Sequence, residues 1–344
     1  MDCKFKEKLV SVIMTAYNTE EYIEEAIQSI LNQTYTNYEF IIIDDGSTDG
    51  TFDVIMKYAR KDDRIIVIKR KNIGLAQSLN DGVRIARGEY IARMDSDDIC
   101  APERFEKQVK YLNEHPDVFM LGSNYYIIYG ENLSEECKKK YEGSQKRGTV
   151  KIDDTNVFLS VSESQKFMHA SVMLRKEFYE ITGLYEDYMS EDIEITFRAA
   201  AKGLRIAKLE EELYGYRARE ESKSYVESRK GQSEGIINAK LDWLLANLDE
   251  NLHKVRFYIW GADVSGEVAK DLLQQRLKNA TCLGFVDPMK VGTVFCDCEV
   301  ISPEQLKEVE FDYVFICTQA GAVMSRQFLK DIGKKEIYNY FKLS

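Results

Sequence analysis

Two stretches constrain this chain more than anything else in it: Ile41-Ile42-Ile43-Asp44-Asp45-Gly46-Ser47-Thr48-Asp49 and, further on, Tyr90-Ile91-Ala92-Arg93-Met94-Asp95-Ser96-Asp97-Asp98. Each is an apolar run that breaks into carboxylates. An uninterrupted apolar run is the pattern of a strand buried on both faces of a parallel sheet, and open α/β sheets bind ligands beyond the carboxyl ends of such strands. Two acid-ended strands in one sheet therefore set their acids along one edge, where they can hold a ligand and a metal ion.

The rest of the N-terminal half repeats the unit. A strand is predicted over residues 9–16 and a helix from Glu20 to Asn32, whose apolar positions Tyr22, Ala26, Ile27, Ile30 and Leu31 share one face. Strand 39–43 leads through Gly46-Ser47-Thr48-Asp49 into a helix carrying Phe52, Val54, Ile55 and Tyr58; Ile65 to Ile68 and a helix through Leu79, Val83 and Ile85 follow, then strand 90–94. Strands alternating with helices imply a parallel sheet with right-handed crossovers. Between Gly130 and Lys151 the pattern gives way to charged residues with no apolar face, which reads as a solvated loop. Strand 171–175 and helix 191–202, closed by Gly203, restore order, and a polar stretch from Arg219 to Ser233 enters a helix ending near Leu248. From Val255 a second α/β unit begins, with strands at Val255–Trp260, Cys282–Asp287 and Tyr313–Cys317.

The 344 residues suit about two domains. Composition, 44% hydrophobic and 31% charged, is that of a globular protein, and no apolar run approaches the ~18 residues of a membrane-spanning helix. The charged start Met1-Asp2-Cys3-Lys4 carries no signal-peptide core, so a cytoplasmic protein is expected. A net charge of −11 argues against a nucleic-acid partner. Seven scattered cysteines, with Cys296-Asp297-Cys298 lacking a two-residue spacer and only His115, His169 and His253 to help, read as free thiols rather than a zinc site.

Asp95-Ser96-Asp97 sets two carboxylates at alternate positions just past a strand, so both can face one side, and such oxygen ligands suit Mg²⁺ or Mn²⁺ bridging phosphates. Taken alone the tripeptide would more often cap the helix at Pro102-Glu103-Arg104; its place after an apolar strand favours function.

Here the residues reach a resemblance. Val10-Ser11-Val12-Ile13-Met14-Thr15-Ala16-Tyr17-Asn18, the Asp44–Thr51 turn, Asn72-Ile73-Gly74-Leu75-Ala76, and Met94–Asp98 with Pro102 and Arg104 resemble, in order and spacing, the family 2 glycosyltransferases of GT-A fold, over about residues 9–217. The resemblance implies an inverting transferase that takes a sugar from a nucleoside-diphosphate donor, most often a UDP-sugar, with Mn²⁺ or Mg²⁺. By position it implies Thr15, Ala16, Tyr17 and Asn18 around the uridine, Asp45 on the base, Asp95 and Ser96 at the ribose and diphosphate, and Asp97, with Asp95, on the metal. Glu191-Asp192, opening an amphipathic helix, resembles the family's catalytic acid pair: Asp192 as base, Glu191 helping to position the acceptor. Acids at a helix N-terminus are also favoured by the dipole alone. His169 stands where relatives often have a histidine near the donor sugar or acceptor. Tyr214–Ser224 resembles the family segment that folds over the diphosphate, with one departure: Arg219 replaces a histidine that ligates metal in some relatives. Arginine cannot ligate a cation but pairs bidentately with phosphate, so Arg217 and Arg219 are candidates for part of the positive charge.

The expected organisation is a GT-A domain over 1–220 with a mostly parallel sheet, a helical connector over 221–252, and a smaller Rossmann-like α/β domain over 253–344 resembling those of bacterial sugar-nucleotide-modifying proteins. In the latter, Gly261-x-x-x-x-Gly266 has Asp263 where a dinucleotide site would keep a glycine, so a degenerate module is the preferred reading. The expected reaction extends a surface polysaccharide or lipid-linked oligosaccharide, with the acceptor shaped by residues 130–165. A non-catalytic sugar-nucleotide-binding scaffold and a bifunctional enzyme are the alternatives; homo-oligomers and peripheral contact with the inner membrane face stay open.

Overall fold

The computed structural model describes residues 7–130, 133–148, 168–187, 190–220, 222, 229–247, 254–318 and 321–344. The chain divides into two compact units: Met1–Asp187 with Arg198–Val226, and Tyr188–Phe197 with Glu227–Ser344.

In the first unit, β1 (Val10–Ala16), β2 (Tyr38–Asp44), β3 (Ile65–Lys69) and β4 (Tyr90–Asp95) alternate with α1 (Ile23–Leu31), α2 (Thr51–Ala59) and α3 (Leu75–Ile85). Every residue of β1 and β2 is buried, as their unbroken apolar runs require. Helix α1 buries Ile23, Ala26, Ile27 and Ile30, a stripe at helical spacing. Further along come β5 (Ile99–Cys100), α4 (Arg104–Glu114), β6 (Val118–Tyr129), β7 (Met173–Arg175) and β8 (Arg205–Ala218). The strands form one eight-stranded mixed sheet in the order β3-β2-β1-β4-β7-β6-β8-β5. Strands β1 to β4 are mutually parallel; β7 runs antiparallel to β4 and to β6, and β8 lies parallel to β6.

Register decides what meets at the carboxyl edge. Thr15 of β1 pairs with Asp95 of β4, and Ala16 pairs with Asp44 of β2, so the three strand ends finish level. On the far side, Cys100 of β5 pairs with Tyr214 of β8, which brings the end of the long β8 to the loop that follows β4. Gly46, at φ +83, turns the chain after β2 where an added Cβ would stand 2.6 Å from the Asn72 nitrogen, so only glycine fits.

Arg104, fully buried, ties the sheet together behind this edge. Its Nη2 donates to the carbonyls of Arg93 (2.9 Å) and Val172 (3.1 Å), and its Nε to Gln108 Oε1 (3.1 Å). Gln108 Nε2 in turn donates to the carbonyls of Leu121 and Ser171. Arg104 and Gln108 thus clamp carbonyls of β4, of β6 and of the Ser171-Val172 segment that leads into β7.

One expectation is corrected. The charged stretch after Gly130, read as a solvated loop without an apolar face, contains helix α5 (Glu135–Gly148). Its apolar face is only Cys137 and Tyr141, one turn apart, both buried against Ala218 of β8 with Ile127 and Tyr216 alongside. Two residues are too few to stand out by periodicity. Residues 149–165 of the expected acceptor segment, together with Cys3, Lys223, Ser224, His253 and both ends of the 221–252 stretch, lie outside the described residues. The unit is completed by α6 (Glu177–Thr182), followed by α7 (Glu191–Ala201), whose last turn belongs to it.

The second unit holds α8 (Arg229–Asn247), which lies within the stretch read as a connector. It also holds a six-stranded sheet in the order β11-β12-β10-β9-β13-β14. Parallel strands β9 (Arg256–Trp260), β10 (Thr281–Val286), β12 (Cys298–Ile301), β13 (Tyr313–Ile316) and β14 (Tyr340–Lys342) are joined by β11 (Val294–Phe295), antiparallel to β12, and by helices α9 (Val264–Arg276) and α10 (Ala322–Asp331). Asp263 is the N-cap of α9, its Oδ1 accepting from the backbone nitrogens of Ser265 (3.0 Å) and Gly266 (3.2 Å). Asp287 accepts from the nitrogens of Ala262 and Met289. The six described cysteines are free, and among the described residues no helix is long and apolar enough to cross a membrane.

Replacing Arg104 by methionine keeps the volume but removes the guanidinium that donates to the Arg93 and Val172 carbonyls and to Gln108, leaving the Val172 carbonyl only its bond from the Arg93 nitrogen (3.0 Å). Urea unfolding of Arg104→Met should show a loss of about 2–4 kcal/mol at unchanged m; a loss below ~0.5 kcal/mol would remove Arg104 from the clamp.

Candidate active site

The first unit's carboxyl edge is built from three strand ends. Thr15 is buried at the end of β1, and Tyr17 just beyond it is half exposed. Asn18, at φ +50, turns the chain, and its side chain is engaged: Oδ1 accepts from the Thr48 nitrogen (2.8 Å), while its own backbone nitrogen donates to Ser47 Oγ (3.0 Å). Asn18 therefore fastens the loop after β1 to the loop after β2. Asp45 is buried and accepts three hydrogen bonds: from Arg70 Nε (3.0 Å), the Ile73 nitrogen (3.1 Å) and the Gly74 nitrogen (2.9 Å). Arg70 also pairs with Asp81 and Ser78. Asp45 is thus fixed in orientation by the segment Arg70–Gly74.

After β4 the chain packs three carboxylates into the four residues Asp95–Asp98. Each has its own cation or donor. Asp95 pairs with Arg93 of its own strand, two residues back and on the same face. Asp97 pairs with Arg219. Asp98, fully buried, accepts from Tyr214 Oη (2.8 Å) and the Arg217 nitrogen (2.7 Å). Tyr214 Oη also accepts from the Asp95 nitrogen (3.2 Å), so one phenol joins β8 to the start of the acidic loop. Burial raises the pKa of Asp98 well above the usual carboxylate range, and the charges of Asp97 and Asp95 push it further the same way. Asp97 is raised too, by burial and by Asp95, with Arg219 pulling it back. Ser96 is buried between them.

Two arginines from the end of β8 close over this loop. Arg217 Nε donates to the Asp97 carbonyl (2.8 Å) and Nη2 to Glu25 Oε2 (2.6 Å). Their guanidinium carbons lie 5.0 Å (Arg217) and 4.9 Å (Arg219) from the centroid of the Tyr22 ring, in cation–π range. The donor set fits a hard divalent ion: Asp95 and Asp97 offer carboxylate oxygens whose mutual repulsion a dication would relieve. Among the described residues no group of three His, Cys, Asp or Glu side chains gathers as ligands, so phosphate and water would complete the coordination.

His169 is buried. Its ring Nε2 is 3.0 Å from Tyr185 Oη, which is 3.0 Å from Tyr179 Oη. Burial, and secondarily the nearby charge of Arg93, lower its pKa well below the usual value, so the ring is neutral. Glu191 and Asp192 open α7, in the part assigned to the second unit. Thr15, Ala16, Tyr17, Asn18, Asp45, Asp95, Ser96, Asp97, Arg217 and Arg219 come together in the first unit. Arg70, Tyr22 and Glu25 went unread: Arg70 sits in a basic run, Lys69-Arg70-Lys71, that looks like a solvated strand end, and Tyr22 looks like one more apolar position of a helix.

The comparisons agree with this geometry. The profile of glycosyl transferase family 2 matches residues 11–169. EpsE of Bacillus subtilis, whose name places it among the glycosyltransferases, is 35% identical over 238 residues, covering 67% of this chain and 80% of its own. The chain belongs to glycosyl transferase family 2. Another family relative, an uncharacterized glycosyltransferase of Haemophilus influenzae, is 47% identical over 130 residues, 38% of this chain; the chain spans only 39% of that protein's length. WfaP of Escherichia coli, named a UDP-Glc:α-D-GlcNAc-diphosphoundecaprenol β-1,3-glucosyltransferase, is 46% identical over 121 residues, 35% of this chain and 47% of its own. Solved structures share the fold: TarS residues 1–349 of S. aureus with UDP-GlcNAc (TM-score 0.54, 20% identity, 79% of this chain and 73% of that one), and mannosyltransferase PcManGT of Pyrobaculum calidifontis with GDP-Man and Mn²⁺ (TM-score 0.53, 18% identity, 71% and 66%).

A neutral, buried His169 has a consequence for pH. Below the ordinary pKa of 6.5 the unfolded chain takes up a proton that the folded chain refuses, so this contribution to stability is whole above that pH and is lost as pH falls. The His169 C2–H resonance should not shift between about pH 7.5 and 5.5, and His169→Gln should lose less stability than wild type over that interval; ordinary titration near 6.5 would contradict the buried, neutral ring.

Proposed function

We propose that the chain is an inverting glycosyltransferase of surface-polysaccharide synthesis, moving a sugar from a UDP-sugar to a hydroxyl of a glycan or lipid-linked acceptor. One observation carries the reading: Asp95 and Asp97 stand at the end of β4, level with the end of β1 and overlaid by Arg217 and Arg219, a placement that offers both oxygen ligands and cations to a diphosphate. The names of TarS, crystallised with UDP-GlcNAc, and of WfaP, a UDP-Glc enzyme, support uridine; PcManGT with GDP-Man makes guanosine the competitor.

In this reading Tyr17 offers its exposed ring to the uracil, beside Thr15, Ala16 and Asn18, and Asp45, already aligned by three donors, accepts from the base. Asp95 and Ser96 meet the ribose and diphosphate. Asp97 and Asp95 would hold Mn²⁺ or Mg²⁺, which when bound stabilises negative charge on the departing diphosphate. Asp192 takes the proton of the acceptor hydroxyl as its oxygen bonds to the anomeric carbon; the bond from that carbon to the diphosphate oxygen breaks on the opposite face, and configuration inverts. Glu191 positions the acceptor, and His169, behind Arg93, supports the donor side. The second unit is read as a module for assembly, since Asp263 already takes the helix N-terminal donors that a nucleotide phosphate would need.

Nucleotide release from UDP-, GDP- and dTDP-sugars, measured with Mn²⁺, Mg²⁺ or EDTA, tests the reading. Turnover should appear with one UDP-sugar, fall in EDTA, and drop on the order of 10²–10⁴-fold in Asp97→Ala and Asp192→Asn. Wild-type rates in either variant would remove that residue from its role.

A further inference from the structure

Arg219 is held differently from Arg217. Arg217 is fastened at two places, the Asp97 carbonyl and Glu25, and so belongs to the frame of the site. Among the described residues Arg219 has one anionic partner, Asp97, with Tyr22 against its guanidinium face. Its Nε is buried without a hydrogen-bond partner among the described residues, an orphan donor on a group whose five N–H bonds are its main use. Its backbone is pinned instead: the Arg219 carbonyl accepts from Tyr141 Oη (2.8 Å), and its nitrogen lies 3.3 Å from the same oxygen. The backbone is fixed while the side chain keeps one exchangeable contact.

Arg219 supplies the cation that meets Asp97. That carboxylate is largely buried beside Asp95 and Asp98, and removing the Arg219 charge would leave these acids facing one another. We infer that Arg219 is the resident counter-ion of Asp97, and that a divalent ion and the donor diphosphate displace it together. Asp97 would then be free to hold the ion, and the released guanidinium, turning about its anchored backbone, would pair bidentately with the diphosphate, using donors now unspent. The ion and the nucleotide then bind cooperatively: metal alone must expel Arg219, whereas nucleotide alone finds a cation already present. This rests on the diphosphate-donor reading above, and it concerns the position where this chain departs from the histidine of its relatives.

The test compares wild type, Arg219→Gln and Arg219→Lys in two measurements. Mn²⁺ binding without nucleotide, followed by the electron paramagnetic resonance of the free ion, should be about tenfold tighter in Arg219→Gln and near wild type in Arg219→Lys, which keeps the competing charge. UDP binding in EDTA, by calorimetry, should be about tenfold weaker in Arg219→Gln than in wild type. Mn²⁺ affinity that stays or falls in Arg219→Gln, or rises equally in Arg219→Lys, overturns the counter-ion role, as does UDP binding in EDTA that is indifferent to Arg219. The Mn²⁺ measurement needs no nucleotide; absence of UDP binding to any form, even with Mn²⁺, would overturn the donor reading while the Mn²⁺ result still decides the counter-ion role.

Discussion

The first unit depends on neutralising three carboxylates that the chain sets side by side in Asp95–Asp98. Left alone they would repel one another at the end of a buried strand, where charge is poorly solvated. Arg93 answers Asp95, Arg219 answers Asp97, and Tyr214 with the Arg217 nitrogen answers Asp98. Two of these four residues, Tyr214 and Arg217, come from β8 and a third, Arg219, directly follows it, far along the chain from β4. The long strand β8 therefore does more than extend the sheet: its end supplies most of the compensation for the acidic loop.

The fold around the loop serves that arrangement. Parallel β1, β2 and β4 finish level, which sets Thr15, Asp44 and Asp95 along one edge. Arg104 ties β4 to the residue just before β7 through the Arg93 and Val172 carbonyls, which fixes the backbone that carries Arg93 and Asp95. Tyr22 and Glu25, near the start of α1, receive the two arginines of β8. An edge so prepared holds acids and bases in balance while pairing one cation, Arg219, with a single carboxylate among the described residues. Such a balance suits a ligand that is itself anionic and arrives with a cation.

Much of this was legible in the sequence because strand ends write themselves plainly. The runs Ile41–Asp45 and Tyr90–Asp98 announce buried strands and the acids beyond them, and β1 to β4 stand within a residue or two of their predicted bounds. What was not legible was pairing across distance. No local pattern joins Tyr214 to Asp98, Arg70 to Asp45 or Arg104 to Val172, because those contacts are created by sheet order, which one sequence does not display. Helix α5 escaped for another reason: with only Cys137 and Tyr141 to bury, its amphipathic signal is too weak to separate from a charged loop. The departure at Arg219 could be read as a missing metal ligand, but its ion pair with Asp97 required the structure.

The central claim is that the Asp95–Asp98 edge, with Arg217 and Arg219 over it, is where a nucleoside diphosphate binds. The most direct measurement is a crystal structure of the protein grown with UDP and Mn²⁺. The account predicts the diphosphate between Asp97 and the arginines, with uracil against Tyr17 and the Arg219 guanidinium on phosphate instead of on Asp97. A nucleotide found at the second unit's Gly261–Gly266 turn, with the Asp97–Arg219 pair intact, would contradict it.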